Sequence, residues 1–203
     1  VTGVQTCGSS DLVDLSDAAL TLRVEALDTH ALVYADRHEG AGGLPLGTGG
    51  KVLCLLSGGI DSPVASWRMM RRGCRALFVH FHAYPILSNA SKEKAVALAR
   101  ALTRRQLSSR LFLVPFGPVQ QQIVLTVPPP LRTVIYRRLM VRIAEEIARR
   151  QQALALVTGD VVGQVASQTL ENIGVINDVA TLPVFRPLIG MDKDEIVEQA
   201  LRP

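Results

Sequence analysis

Apolar residues recur with two different periods along this chain, and the change between them divides it. Between Leu20 and Asp36 the apolar positions alternate: Leu20, Leu22 and Val24, then Leu32 and Tyr34, around the polar Asp28-Thr29-His30. A period of two fits a half-buried antiparallel hairpin. Residues 40–50 (GAGGLPLGTGG) have no period, and their Gly- and Pro-rich composition marks a domain boundary. From Lys51 onward, short apolar runs take turns with stretches of helical period. Val52–Leu56 (VLCLL) is a continuous apolar run, as a parallel strand buried on both faces requires. Residues 62–72 read as a helix, with Pro63 in the first turn and Gly73 as the stop. Ala76–Ala83 reads as a second strand, and 91–107 as a helix with Ala95, Leu98, Ala99 and Leu102 on one face. Leu111–Phe116 gives a third strand, and 118–126 a short helix ended by Pro128-Pro129-Pro130. A longer helix over 133–150 has Tyr136, Leu139, Met140, Ile143 and Ile147 on one face, and Ala153–Asp160 gives a fourth strand. Asp192 with Glu195 three residues on makes a capping box that opens a last helix. Alternation of this kind predicts a three-layer α/β fold, a parallel sheet with helices on both faces.

Composition leaves that picture unchanged: 48% of the 203 residues are hydrophobic and 20% charged, ordinary for a globular chain. No apolar run reaches the length of a membrane span, and the N-terminus lacks the basic-then-apolar pattern of a secretory signal. Cys7, Cys54 and Cys74 form neither a disulfide framework nor a metal-ligand spacing, so a reducing cytoplasm is the expected setting. Charge adds more. The formal net charge is +4 and the pI about 9.3. Acidic residues gather near the N-terminus (Asp11, Asp14, Asp17, Glu25, Asp28), whereas arginines crowd the middle, from Arg68 to Arg75, Arg100 to Arg110 and Arg132 to Arg142. Such a field suits a polyanion such as RNA or a nucleotide; solvated helix faces are the competing reading.

The chemistry concentrates where the first parallel strand ends. Ser57-Gly58-Gly59-Ile60-Asp61-Ser62-Pro63 follows VLCLL at once. Ligands of open parallel sheets bind at the carboxyl ends of strands. Two glycines let the chain turn and let phosphate oxygens approach closely. The N-terminus of the following helix aims free N–H groups at the same place, and Ser57 and Ser62 add hydroxyls. Asp61 suits an anion site only with a cation between, which Mg²⁺ bridging carboxylate and phosphate would supply. The Gly-Lys-Ser/Thr ending of a Walker loop is missing. The segment resembles instead the SGGxDS signature of the PP-loop ATP pyrophosphatases. That resemblance implies cleavage of ATP between its α and β phosphates, transfer of AMP to a substrate oxygen, and a Rossmann-like domain related to the adenine nucleotide alpha hydrolases.

Further segments narrow the resemblance. SGGIDSPVASWRMMRRG (57–73), RRLMVRIAEEIA (137–148), VTGDVVGQVASQTLENI (157–173) and RPLIGMDKDEIVEQA (186–200) together resemble the ThiI family, the tRNA 4-thiouridine synthetases. The resemblance covers nearly all of 20–201. It implies that residues 13–39 are the carboxyl-terminal remnant of a THUMP RNA-binding domain, that 40–50 are the linker, and that 51–203 are a PP-loop domain cut short at its C-terminal end. Residues 1–12 (VTGVQTCGSSDL) resemble a translated sequencing-adapter read-through and are expected to be an artefact, so that Cys7 has no role. By the same resemblance Ser57, Asp61 and Ser62 are the expected catalytic residues, with Asp61 also on the metal. Leu55, Leu56, Gly58, Gly59, His80, Phe81, Arg137, Gly159 and Gln168 are the expected ATP contacts. Gly159 would leave room for the ligand, Arg137 would neutralise phosphate, and His80 and Phe81 would cradle adenine or ribose. Taken without the resemblance, His80 reads as a hydrogen-bonded core residue, Arg137 as a solvated helix position, and Gln164, Ser167 and Gln168 as loop hydrogen bonds. The implied reaction adenylates uridine at position 8 of tRNA with ATP and Mg²⁺, after which sulfur from a cysteine desulfurase or another persulfide donor replaces AMP. A role in thiamine thiazole synthesis and a homodimer are compatible with the family. Cys54 and Cys74 read as structural, so sulfur transfer is expected to need a cysteine from elsewhere. Another PP-loop ligase and a catalytically inactive RNA-binding module remain the alternatives.

Overall fold

The computed structural model describes residues 17–38, 40 and 42–201. The proposed artefact at 1–12, with Cys7, therefore lies outside the described residues. The chain divides into two compact units, Val1–Gly42 and Gly43–Pro203. In the first, β1 (Arg23–Ala26) pairs antiparallel with β2 (Ala31–Tyr34), in a register that sets Val24 opposite Val33. The expected antiparallel hairpin forms, but not half-buried: all of β1 and Ala31–Val33 of β2 are exposed, and Leu20 and Leu22 precede the strand.

The second unit begins with the Gly- and Pro-rich segment. From Gly43 this stretch, read as linker, is bound down: Leu44 N–H donates to the Arg71 carbonyl (2.8 Å), and Gly47 and Gly49 N–H groups to that of Gly73 (2.8 and 3.0 Å). Gly73 has φ +77°, and a Cβ there would lie 2.2 Å from Thr48 Oγ1, so both the turn and the close approach require glycine.

Then come β3 (Lys51–Leu55), α1 (Asp61–Arg71), β4 (Arg75–His82), α2 (Ala90–Thr103), β5 (Leu111–Pro115), α3 (Gly117–Thr126), α4 (Pro129–Arg150), β6 (Ala155–Val157), α5 (Leu170–Asn177), β7 (Val184–Phe185) and α6 (Lys193–Leu201). The strands form one parallel sheet in the order β5-β4-β3-β6-β7. β3 and β4 are buried on both faces, which explains their unbroken apolar runs. Val52, Cys54, Ala76 and Phe78 face one way, packing with Val64 and Ala65 of α1, Ala99 and Leu102 of α2 and Ile196 of α6. Leu53, Leu77 and Val79 face the other way, against Val141, Ala144 and Ala148 of α4 and Ile176 of α5.

Some elements differ from the sequence expectation: the strand expected over 153–160 is confined to Ala155–Val157, and the helix expected over 91–107 ends at Thr103. The prolines at 129–130 begin α4 rather than end a segment, because the first helical positions have no intrahelical use for an N–H. The buried stripe of α4 is Val141, Ala144 and Ala148; Tyr136, Leu139, Met140, Ile143 and Ile147 flank it half-buried. Small residues let this helix lie close on the sheet, so its largest apolar side chains fall beside the contact line. The 170–185 region holds α5 and β7, which no period announced. The capping box forms as read: Glu195 N–H to Asp192 Oδ1 and Asp192 N–H to Glu195 Oε2, both 2.9 Å.

Candidate active site

The segment Leu56–Asp61 turns from the carboxyl end of β3, at the centre of the sheet, into α1. Ser57 N–H donates to Ser62 Oγ (2.8 Å), the two hydroxyls are 3.0 Å apart, and Gly59 N–H donates to Ser57 Oγ (3.3 Å). The two serines therefore clamp the loop across the helix start. α1 has no side-chain cap, which leaves first-turn N–H groups and the positive end of its dipole for something outside the helix.

Gly58 and Gly59 have no positive φ. A Cβ on Gly58 would meet Lys94 Cδ at 3.4 Å, and one on Gly59 would meet Ser57 Oγ at 3.6 Å, ordinary contacts. The chain bends through 58–60 without the left-handed backbone that would demand glycine. Nothing in the fold itself excludes a side chain at either position, so the open space beside them is what the glycines preserve. Gly159 is the opposite case. A Cβ there would lie 2.7 Å from Ser62 N, 2.8 Å from Asp61 C and 2.9 Å from Ser62 Cα. The room expected there for a ligand is filled by the backbone of the loop. Gly159 is the point where the chain after β6 presses against the start of α1.

Asp61 is not bare. Its Oδ1 accepts from Lys193 Nζ at 2.6 Å and its Oδ2 from Gln164 Nε2 at 3.3 Å. The carboxylate that looked out of place in an anion site has a cation, supplied by the start of α6. Among the described residues no group of three His, Cys, Asp or Glu is placed to hold a metal.

A second cluster forms around Asp160, next in the chain to Gly159 and 5% exposed. Its Oδ1 pairs with Arg137 of α4 and accepts from Gln168 Nε2 (3.4 Å); its Oδ2 accepts from Thr158 Oγ1 (2.8 Å) and Arg186 Nε (3.3 Å). Burial alone would raise this carboxyl; the charge of Arg137, the Thr158 hydroxyl and Arg186 hold it below the usual carboxylate range. Arg137 also donates to the Ser167 carbonyl (3.0 Å). A crevice of about 40 Å³ here is lined by Leu55, Arg137, Thr158, Asp160 and Arg186. On the other side of the loop a groove of about 560 Å³ runs past Gly58, Gly59, Ile60, Pro63, Trp67 and Lys94.

The expected residues therefore separate into groups. Ser57, Gly58, Gly59, Asp61, Ser62 and Gly159 converge, while Leu55, Arg137 and Gln168 meet around Asp160. His80 stands apart. It is 4% exposed, its Nδ1 lies 2.8 Å from the Leu56 carbonyl and its Nε2 3.0 Å from Ser91 Oγ. A neutral ring satisfies both, and burial lowers its pKa. Its ring is a brace between β3, β4 and α2, as the reading without the resemblance has it. Phe81, on the opposite face of β4, stacks edge-on against Phe116, with centroids 5.5 Å apart. Leu56 is buried, and its N–H and carbonyl are both engaged. Lys193, Asp160 and Arg186 were missed in the sequence. Asp160 had a signal, since an acid directly after a buried strand lies at the end of the sheet where ligands bind; Lys193 was visible only as the neighbour of a helix cap. Cys54 is buried, with its thiol pushed up to about 12, and burial raises Cys74 too, so neither is a ready thiolate.

Comparison with known proteins agrees with this architecture. Residues 47–202 match the family model described as "Thiamine biosynthesis protein (ThiI)". The chain belongs to the ThiI family. It is 58% identical over 190 residues to a "Probable tRNA sulfurtransferase" of Thermus thermophilus, covering 94% of this chain and 47% of that protein. It is 50% identical over 188 residues to one of Caldanaerobacter subterraneus, covering 93% and 49%. A crystal structure of a 4-thiouridine synthetase–RNA complex with bound ATP superposes with a TM-score of 0.85 at 44% identity, covering 93% of this chain and 50% of that one. The chain thus spans about half the length of the relatives it matches. Among the described residues no helix is long and apolar enough to cross a membrane.

Proposed function

We propose that this chain carries the ATP-using step of tRNA 4-thiouridine formation. The observation that supports it most directly is the pair Gly58 and Gly59, whose open faces the fold does not need, beside the uncapped start of α1. In this reading the loop N–H groups and the Ser57 and Ser62 hydroxyls receive the pyrophosphate portion of ATP. The uridine oxygen at position 8 attacks the α phosphorus, the α–β bond breaks, pyrophosphate leaves, and AMP remains on the uridine as a leaving group. Donors fixed before the reaction stabilise the charge gathering on phosphate. Arg137 and Arg186, held by one carboxylate, supply further positive charge at the same end of the sheet. Leu55 and Phe81 would contribute apolar surface to the nucleotide, and His80 would act through the main chain it braces.

Asp61 is the carboxylate the loop offers to Mg²⁺, which takes one or two carboxylates and completes its shell from phosphate and water. When bound it would neutralise phosphate charge; Lys193 holds that carboxylate otherwise. Sulfur, delivered as a persulfide by a cysteine desulfurase or a similar donor, then replaces AMP, because the thiols of Cys54 and Cys74 are buried and protonated. The hairpin of β1 and β2 would be the end of a THUMP domain.

The test is exchange of labelled pyrophosphate into ATP. Exchange that requires tRNA, and falls at least 100-fold in Asp61→Ala with an unchanged melting temperature, is the expected result. Exchange that requires a small acid or amine instead would assign the chain to another ligation. Lys193→Ala removes the lysine that would compete with the metal for Asp61: a shift in the Mg²⁺ dependence is expected, and an unaltered dependence would remove the metal role given to Asp61.

A further inference from the structure

We propose that the amino-terminal end of the sheet carries a phosphodiester-binding site for RNA, formed by Lys51, Arg75, Arg110 and Arg150. It rests on the reading of tRNA as substrate, and it lies at the end of the sheet opposite the Ser57–Ser62 loop. Lys51 and Arg75 are register partners at the first positions of β3 and β4, so their backbones run about 4.8 Å apart. Like charges set side by side in a sheet destabilise it. Arg110 directly precedes β5, and its carbonyl accepts from Phe78 N–H (2.9 Å), so a third neighbouring strand also opens on a cation. Arg150 closes α4 beside them. With Ser108 and Ser109 these four line a cavity of about 430 Å³.

Among the described residues one ion pair involves this cluster, Arg150 with Glu146 (2.7 Å). The other cations are held by neutral groups: Arg75 by Ser108 Oγ (2.8 Å), Arg110 by Gln151 Oε1 (2.7 Å) and Lys51 by the Gln151 carbonyl (3.5 Å). The carboxyl end of α4 accounts for Lys51, since a helix C-terminus attracts cations. It does not account for Arg75, and Arg110 meets that helix end only through the Gln151 side chain. Each of these is exposed and spends one donor on a neutral oxygen, which fixes the guanidinium and leaves its remaining N–H groups facing solvent. Three successive strand starts spread the charge over roughly 10 Å. That is longer than a single phosphate and suits a chain of them. β3 is five residues long, which puts Lys51 and Arg75 roughly 16 Å from the nucleotide loop, with Arg110 level with Leu77, two register positions nearer, so the site would grip a part of the RNA away from the reacting base.

The experiment is tRNA binding by the 203-residue chain over a series of salt concentrations, with wild type, Arg75→Gln/Arg110→Gln and Arg75→Lys/Arg110→Lys. The glutamine pair is expected to weaken binding about tenfold and to flatten the plot of log K against log salt by about 1.5, for two lost phosphate contacts. The lysine pair should keep the wild-type slope. Pyrophosphate exchange at saturating tRNA should be unchanged in both. Wild-type affinity and slope in a glutamine pair that melts normally would overturn the proposal. So would lost affinity for inorganic pyrophosphate with intact tRNA binding, which would make this a small-oxyanion site. Absence of exchange in wild type, with the glutamine pair still weakening tRNA binding, would sink the adenylation reading while leaving this site standing.

Discussion

Gly159→Ala puts one methyl group where the structure has backbone on three sides. The added carbon would lie 2.7 to 2.9 Å from Ser62 N, Asp61 C and Ser62 Cα. Ordinary van der Waals contact begins near 3.4 Å, so a gap of roughly 0.6 Å must open between the chain after β6 and the start of α1. None of the obstructing atoms belongs to a flexible side chain, so relief has to come from moving the loop or β6. Overpacking of this kind costs about 1–3 kcal/mol. For a unit of this size that lowers the melting temperature by roughly 3–10 °C. The larger effect is expected in activity. Displacing the clamp between Ser57 and Ser62 by a fraction of an ångström misaligns every donor the loop presents, and a misplacement near 1 Å costs about 100-fold in rate. Pyrophosphate exchange and a thermal melt on the same preparation give both quantities. Gly58→Ala is the counterpart: its Cβ meets only Lys94 Cδ at 3.4 Å, so it should melt like wild type while raising the KM for ATP at least tenfold. A Gly159→Ala protein with wild-type exchange would refute the claim that this contact sets the loop.

Two further outcomes follow from buried charge. Asp160→Asn removes the common partner of Arg137 and Arg186; because both arginines still reach solvent, the cost should be about 2–3 kcal/mol, below the full value for a severed buried pair, read by urea unfolding with Trp67 fluorescence, and the same change at exposed Asp178 should cost little. Acid should destabilise the protein in two stages. His80 is depressed below 6.5 in the fold, so the unfolded chain takes up its proton first and stability falls as pH drops through about 6.5; His80→Gln should abolish that limb. Asp160 is held low, and hydrogen bonds from Thr181 and Arg149, outweighing burial, hold Glu145 at about 2 against an ordinary 4.5. Their contribution is complete above the unfolded values and is lost as pH falls toward 2. A flat stability profile between pH 7 and 3 would contradict these assignments.

How much could be read in advance depended on whether a residue's role is local. β3 and β4 showed in the sequence because strands buried on both faces need unbroken apolar runs, β5 because its short apolar run persists although it lies half-covered at the sheet edge, and α6 because its cap is a four-residue device. The loop was legible for the same reason, being one continuous segment placed by the strand before it and the helix after it. β7 escaped because two residues carry no period; it exists only as the edge partner of β6. α5 had a local cue, Thr169 capping Asn172 N–H at 3.3 Å, but a helix of eight residues gives a weak apolar stripe. The pairings Asp61–Lys193 and Asp160–Arg137 join residues far apart in the chain, and nothing in the segments themselves says that they meet. Gly159 shows the limit from the other side. Its position at a strand end was the right place to look, yet glycine leaves room for a ligand or for backbone, and only the atoms 2.7 Å away decide which.

The two carboxylates at this end of the sheet bear on how such a site stays assembled without its substrate. Asp61 faces Lys193, and Asp160 faces Arg137 and Arg186. Each cation comes from a different element, α6, α4 or the segment after β7, and each reaches back to the two segments that Gly159 presses together. Without the carboxylates, cations would crowd where a polyphosphate is to bind, repelling one another and relaxing outward into water. With them, the cations are held in place at the cost of some attraction for phosphate. On the proposed function, ATP then meets donors already positioned, and the reorganisation that would otherwise accompany charge development has taken place during folding. The same arrangement makes the strength of those cations depend on how firmly the carboxylates hold them. Asp160 is buried and shared, so its arginines stay fixed. Asp61 is partly exposed and paired with a flexible lysine, so it is the contact able to open when phosphate and a metal arrive.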